Sequence, residues 1–195
     1  RDFHFYIWNN NSDNKSDINK TVNNNLDIVK EVTHSEENVG GVGRFILAKR
    51  IARLYTKIIF IDDDQDFKPE LVELMDNTFS KNTVNCWWGW KMGGCSYMHR
   101  YRLTGTSKEV DYCGTGGMII DSDIFKTIDL TSLPDKYKFI EDLWLSFIAR
   151  YNYDYKLYGR EFPIWCIDDQ KDQWMGLHSS GLKDEFYRVL RGQYE

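Results

Sequence analysis

Three consecutive carboxylates, Asp62, Asp63 and Asp64, follow directly on Lys57-Ile58-Ile59-Phe60-Ile61. Adjacent carboxylates repel one another unless a cation lies among them, and Mg²⁺ or Mn²⁺ prefers such oxygen ligands. In a turn after an extended strand alternate side chains can face one cavity. Asp62 and Asp64 can then share a ligand while Asp63 points elsewhere. An acidic turn in water is the competing explanation. Four other sets of residues offer chemistry. Asn38-Val39-Gly40-Gly41-Val42-Gly43-Arg44 sets backbone N–H groups and one guanidinium at a helix start, a suitable anion seat. It lacks the Gly-Lys-Ser/Thr ending of a phosphate-binding P-loop and does not match a dinucleotide fingerprint. A tight loop before a helix also accounts for its glycines, which leaves Arg44 as the residue to retain. Gly114-Thr115-Gly116-Gly117 would let a ligand or a neighbouring backbone come close, or would simply form a bulge. Glu141 and Asp142 open a helix, where carboxylates suit the macrodipole and where one of them can act as a general base. His178 lies in a glycine- and serine-flanked loop, in which an imidazole can ligate a metal.

The elements that would position these groups follow from periodicity. The run from Lys57 to Ile61 reads as a strand buried on both faces, as in a parallel sheet, with the acids where open α/β sheets hold ligands. Phe3 to Trp8, Asp27 to Val32, Val84 to Trp90, Tyr97 to Leu103, Met118 to Ile120, Tyr153 to Leu157 and Glu161 to Ile167 are further strand candidates. Phe45, Ala48, Ile51, Ala52 and Tyr55 share a helix face. Pro69 suits a first helical position ahead of Leu71, Leu74, Met75 and Phe79, and Ser122 can cap a short helix through Ile128. Ile140, Leu143, Trp144, Phe147, Ile148 and Tyr151 make a wide apolar stripe, and Lys183 to Leu190 is an amphipathic helix. The expected architecture is α/β: a Rossmann-like, mostly parallel sheet flanked by helices, with a smaller antiparallel extension.

Length predicts one domain over residues 1–195. Aromatics reach 15%, with seven Trp and twelve Tyr, which suits the holding of sugar rings. Trp88 and Trp90 are expected on one strand face and Trp87 on the other, with at least one of them in the core. A net charge of -5 argues against nucleic acid as partner. No run of 18 apolar residues marks a membrane span. The first residue is Arg1, so the compartment stays open, with the cytoplasm favoured. Cys86, Cys95, Cys113 and Cys166 show no CxxC spacing and are expected as reduced thiols, with neither a disulfide framework nor a zinc site.

Taken in order, these pieces resemble the GT-A class of glycosyltransferases, enzymes that use nucleotide sugars. The resemblance rests on Asn38–Arg44, Asp62-Asp63-Asp64, Gly114–Gly117, Ile140-Glu141-Asp142 and His178, across roughly 140 of the 195 residues. It implies a metal-dependent, inverting transfer from a nucleoside diphosphate sugar, UDP-linked in the first instance, to a hydroxyl of a saccharide or glycan acceptor. It assigns Asp64 to a Mn²⁺ or Mg²⁺ ion, Asp62 to the donor's ribose or sugar or to the same ion, and His178 to the metal shell. Thr115, Gly116 and Gly117 would line the donor sugar, Arg44 would help the nucleotide end, and Asp63 would stand beside the donor as the replaceable acid. Asp142 would be the base, with Glu141 the next candidate. The class begins with a strand and loop that grip the nucleotide base, and Phe3 to Asn11 resembles the second strand. Roughly ten to twenty residues of a first β-unit are therefore expected to be missing. Two other functions compete: a nucleotidyltransferase that makes sugar nucleotides, and an inactive carbohydrate-binding module on the same scaffold.

Overall fold

The apolar run ahead of the acids forms a strand whose side chains alternate between two cores. The computed structural model describes residues 3–103, 107–167, 176–177 and 179–195. In chain order it places β1 (Phe5–Asn9), α1 (Lys15–Asn23), β2 (Val29–His34), α2 (Val42–Ile51), β3 (Lys57–Phe60), β4 (Gln65–Phe67) and α3 (Leu71–Thr78). There follow β5 (Thr83–Cys86), β6 (Gly89–Met92), β7 (Arg100–Arg102), β8 (Lys108–Glu109), β9 (Tyr112–Cys113), β10 (Met118–Asp121) and α4 (Asp123–Thr127). The chain closes with α5 (Glu141–Tyr151), β11 (Lys156–Gly159), β12 (Ile164–Cys166) and a final helix, α6 (Leu182–Tyr194).

Among the described residues five strands hydrogen-bond into the main sheet, in the order β3, β10, β5, β11, β8. Within it β5 and β11 run parallel, while β3–β10, β10–β5 and β11–β8 are antiparallel. The expected mostly parallel, Rossmann-like sheet is thus corrected to a mixed α/β fold in which antiparallel pairing prevails. The inference failed because burial on both faces does not require parallel strands. Ile58, Phe60, Met118, Ile120, Val84 and Cys86 point into the main core, while Ile59, Ile61 and Ile119 point into a smaller cluster with Leu71, Met75, Phe162 and Ile164. Both faces are covered whichever way β10 runs.

Smaller sheets flank this one. β1 and β2 pair in parallel, with α1 between them in sequence, so the Asn-rich stretch contains a helix that its composition did not announce. β7, β6 and β9 form an antiparallel trio, and β12 pairs antiparallel with β4. The single strand expected from Val84 to Trp90 is therefore two, separated at Trp87-Trp88. Pro69 stands outside α3, which begins at Leu71, and Ser122 does not cap α4 through its side chain. Its hydroxyl donates instead to the Tyr55 carbonyl. Among the described residues no helix is long and apolar enough to cross a membrane.

Phe45 ties α2 to the sheet and to two other helices. Its ring centroid lies 5.6 Å from Phe60, 5.7 Å from Phe125 on α4 and 6.4 Å from Trp144 on α5. Truncating such a buried aromatic removes burial and leaves a cavity. Urea denaturation is expected to show Phe45→Ala losing roughly 3–5 kcal/mol, whereas Leu74→Ala on exposed α3 surface loses less than about 1 kcal/mol.

Candidate active site

The sheet delivers the acids at the end of β3, and a buried side chain shapes the turn that carries them. Gln65 is buried, and its side-chain oxygen accepts from the Asp62 N–H at 3.0 Å. Its own N–H donates to the Asp62 carbonyl at 3.3 Å. These reciprocal bonds close the loop Asp62-Asp63-Asp64 before β4 begins. Gly116 packs directly on that loop: a Cβ there would lie 2.3 Å from Asp62 Oδ2 and 2.6 Å from Gln65 Nε2. The glycine is required by neighbouring side chains, independently of any ligand.

Arg44, on the first turn of α2, joins the acidic loop to two other segments. Its Nη1 donates to Asp62 Oδ1 and, at 3.1 Å, to Thr115 Oγ1. Its Nε lies 3.7 Å from Glu141 Oε1. Burial alone would weaken this guanidinium's hold on its proton, but Asp62, Glu141 and Asp142 more than reverse that, and its pKa is raised. One cation thus ties the turn after β3, the glycine loop before β10 and the start of α5.

The other predicted residues divide around this centre. Asp63 is exposed. Asp64 is half-buried, and its backbone carbonyl accepts from Ile167 N–H at 2.8 Å. Burial raises the Asp64 carboxyl above its ordinary value, and the charges of Asp62 and Asp63 add to the shift. Gly117 adopts φ +75°, a left-handed conformation open to glycine, and accepts from Trp87 N–H at 2.8 Å. Glu141 is only 5% exposed, and a Cβ on Gly41 would lie 1.8 Å from its carboxylate. Its pKa is pushed up to about 7, by burial first, with Arg44 opposing and Asp142 reinforcing.

Asp142 has different surroundings. It is half-buried, and its Oδ2 accepts from the Tyr112 hydroxyl while Oδ1 accepts from Leu143 N–H at 2.7 Å. Burial, and then the nearby Asp142 charge, hold the Tyr112 phenol well above its usual range. It therefore stays a donor. Tyr112 and Gln65 are the two site residues that sequence reasoning passed over. Neither carries a motif, although a Gln directly after three acids offered a turn-forming side chain.

His178 lies outside the described residues, so its expected place in a metal shell has no structural counterpart here. Among the described residues no group of three or more His, Cys, Asp or Glu side chains converges as a metal site. Asp62 is already engaged by Arg44, and the hard oxygens of Asp62 and Asp64 are of the type that Mn²⁺ or Mg²⁺ accepts. They fit such an ion in kind but do not make a full shell.

Comparison with known proteins bears on the fold. No family profile matches the chain. No curated protein matches it either. Among solved structures it is similar to a crystal structure of GalNAc-T7 with UDP, GalNAc and Mn²⁺, with a TM-score of 0.62 and 11% identity, over 86% of this chain and 39% of that one. A crystal structure of A197 from STIV matches with a TM-score of 0.49 and 15% identity, over 84% of this chain and 83% of that one. The chain spans well under half the length of GalNAc-T7. At this level of identity the likeness is one of fold: over most of its length the chain is arranged like a part of GalNAc-T7.

Proposed function

We propose that this chain is a glycosyltransferase, moving a sugar from a nucleoside diphosphate donor, UDP-linked in the first instance, to a saccharide hydroxyl. The observation that carries this reading is the convergence on Arg44 of Asp62, Thr115 and Glu141, which gathers three separate motifs at the end of one strand. The fold it shares with GalNAc-T7 supports the reading from a second side.

The residues divide the work by their surroundings. Thr115, Gly116 and Gly117 would line the donor sugar, and Arg44 would hold the donor-facing loop through Asp62. Asp64 and Asp62 would hold a Mn²⁺ or Mg²⁺ ion, which when bound supplies positive charge against the departing diphosphate. Asp142 would be the general base in an inverting displacement. Each carboxylate oxygen has two acceptor positions, so the bonds from Tyr112 and Leu143 leave room for an acceptor hydroxyl. The same two bonds hold the carboxylate in one orientation. As the acceptor oxygen bonds to the anomeric carbon, its proton passes to Asp142 and the bond to the diphosphate breaks. Glu141, buried between Arg44 and Gly41, would act as a positioning residue for these elements.

Three variants test the division. Asp142→Asn is expected to keep donor affinity and lower transfer by roughly 10²–10⁴-fold; transfer at the wild-type rate would remove Asp142 as the base. For Asp64→Ala, calorimetry with UDP-sugar is expected to show Mn²⁺-dependent affinity weakened by about tenfold or more, ~1.4 kcal/mol. An affinity indifferent to Mn²⁺ in wild type and variant alike refutes the metal assignment. Glu141 is tested by pH. Its folded carboxyl binds a proton more tightly than the unfolded chain does, so its contribution to stability is full below about pH 4.5 and is lost as pH rises through about 7. Glu141→Gln is expected to flatten that decline, on the order of a few kcal/mol, in urea denaturation across this window. Parallel pH profiles for variant and wild type would show that Glu141 titrates normally.

A further inference from the structure

The antiparallel trio β7, β6 and β9 carries a row of side chains that leads away from Asp142. Trp90 on β6 pairs with Arg102 on one side and with Tyr112 on the other, and Met92 pairs with Arg100. Residues opposite one another across a ladder project from the same face. Arg102, Trp90 and Tyr112 therefore stand side by side, with Arg100 and Trp88 two residues along the same face. Strands lie ~4.8 Å apart, so Arg102 is ~10 Å from the Tyr112 backbone. The Tyr112 hydroxyl donates to Asp142, which places the row at the proposed base.

Its two guanidiniums are stacked on aromatic rings. The Arg102 guanidinium lies 4.0 Å from the Trp88 ring centroid and 4.7 Å from that of Trp87. That of Arg100 lies 4.0 Å from the Tyr97 ring centroid and 4.9 Å from that of Trp90. The Trp88 and Trp90 rings are parallel to within 1°, with centroids 6.0 Å apart. Arg102 donates to the Trp87 carbonyl at 3.3 Å and Arg100 to the Tyr97 carbonyl at 3.1 Å. Among the described residues, however, neither meets a carboxylate, unlike Arg44, Arg50 and Arg150, and the Nε of each is buried without a hydrogen-bond partner. Burial weakens the hold of Arg102 on its proton, with Cys166 and Cys86 opposing the shift. Stacking occupies the faces of a guanidinium and leaves its N–H donors in the plane, where an anion is bound.

We infer that this strip is the acceptor subsite and that it takes an acidic saccharide, whose anionic group meets the in-plane N–H donors of Arg100 and Arg102. The inference rests on the transferase reading for the word acceptor. The anionic group can be a carboxylate or a phosphate, and the experiment separates them. The full chain is titrated calorimetrically with a uronate-bearing, a phosphate-bearing and a neutral oligosaccharide of equal length, with and without UDP.

At least one acidic ligand is expected to bind tenfold or more tightly than the neutral one, to weaken with added salt and to persist beside UDP. In Arg100→Gln/Arg102→Gln that preference is expected to fall to near unity. Should this variant not fold by circular dichroism, Arg100→Lys/Arg102→Lys keeps the charges but not the planar fork, and is expected to lose most of the preference. Equal binding of acidic and neutral ligands by the wild type overturns the inference, as does an unchanged preference in the folded variant. Displacement of the acidic ligand by UDP also overturns it, because the strip would then hold the donor phosphates. Loss of UDP-sugar binding with the acidic preference intact would instead refute the transferase reading and leave the subsite standing.

Discussion

One guanidinium, that of Arg44, links the acidic segments at the end of the sheet. Asp62, Asp64, Glu141 and Asp142 gather there, and Arg44 is the cation hydrogen-bonded to Asp62 and within 3.7 Å of Glu141. Glu141 is the buried member of this group, and removing Arg44 would take away the cation that opposes its desolvation. Glu141 shows how far one cation falls short of four acids. Even beside Arg44 its carboxyl is pushed up to about 7, since desolvation outweighs the attraction and Asp142 adds to it. The acids therefore depend on Arg44, and Arg44 depends on α2 being held where Phe45 packs.

The glycines around Arg44 make this closeness possible. Sequence alone accounts for Asn38–Arg44 by a tight loop before a helix and for Gly114–Gly117 by a bulge, beside the alternative of loops open to a ligand. At Gly41 and Gly116 the structure gives a further reason, because a Cβ would fall on the carboxylates of Glu141 and Asp62 respectively. That does not exclude a ligand above these loops. It does mean that an isolated glycine motif says more about side chains reaching inward than about phosphate.

What the sequence made legible was placement more than direction. The alternation in Ile58 to Ile61, the stripe of α5 and the acids at the strand end all follow from periodicity and burial, which read each segment alone. Strand direction depends on where the chain returns, and β10 inserts antiparallel between β3 and β5 without any local mark in Met118 to Asp121. Ser122 shows the same limit. Its type suits a cap, but the Tyr55 carbonyl lies within its reach and takes its hydroxyl. Tyr112 was illegible for a related reason, since its role comes from a partner thirty positions later.

The division between a main sheet and a smaller extension also changes meaning once registers are known. The extension expected from the order of strands and helices along the chain is an appendage to a parallel core. In the structure Trp90 is paired with both Arg102 and Tyr112, so the extension is joined edge-on to the residue that orients Asp142. On the other side Gly114 N–H donates to the Trp88 carbonyl and Gly117 N–H to the Phe60 carbonyl. The loop between those two glycines is thus held at one end by the tryptophan strand segment and at the other by the strand that delivers the acids. Donor-side and extension-side residues share one short loop, and a displacement of either sheet would have to move Thr115 and, through it, Arg44.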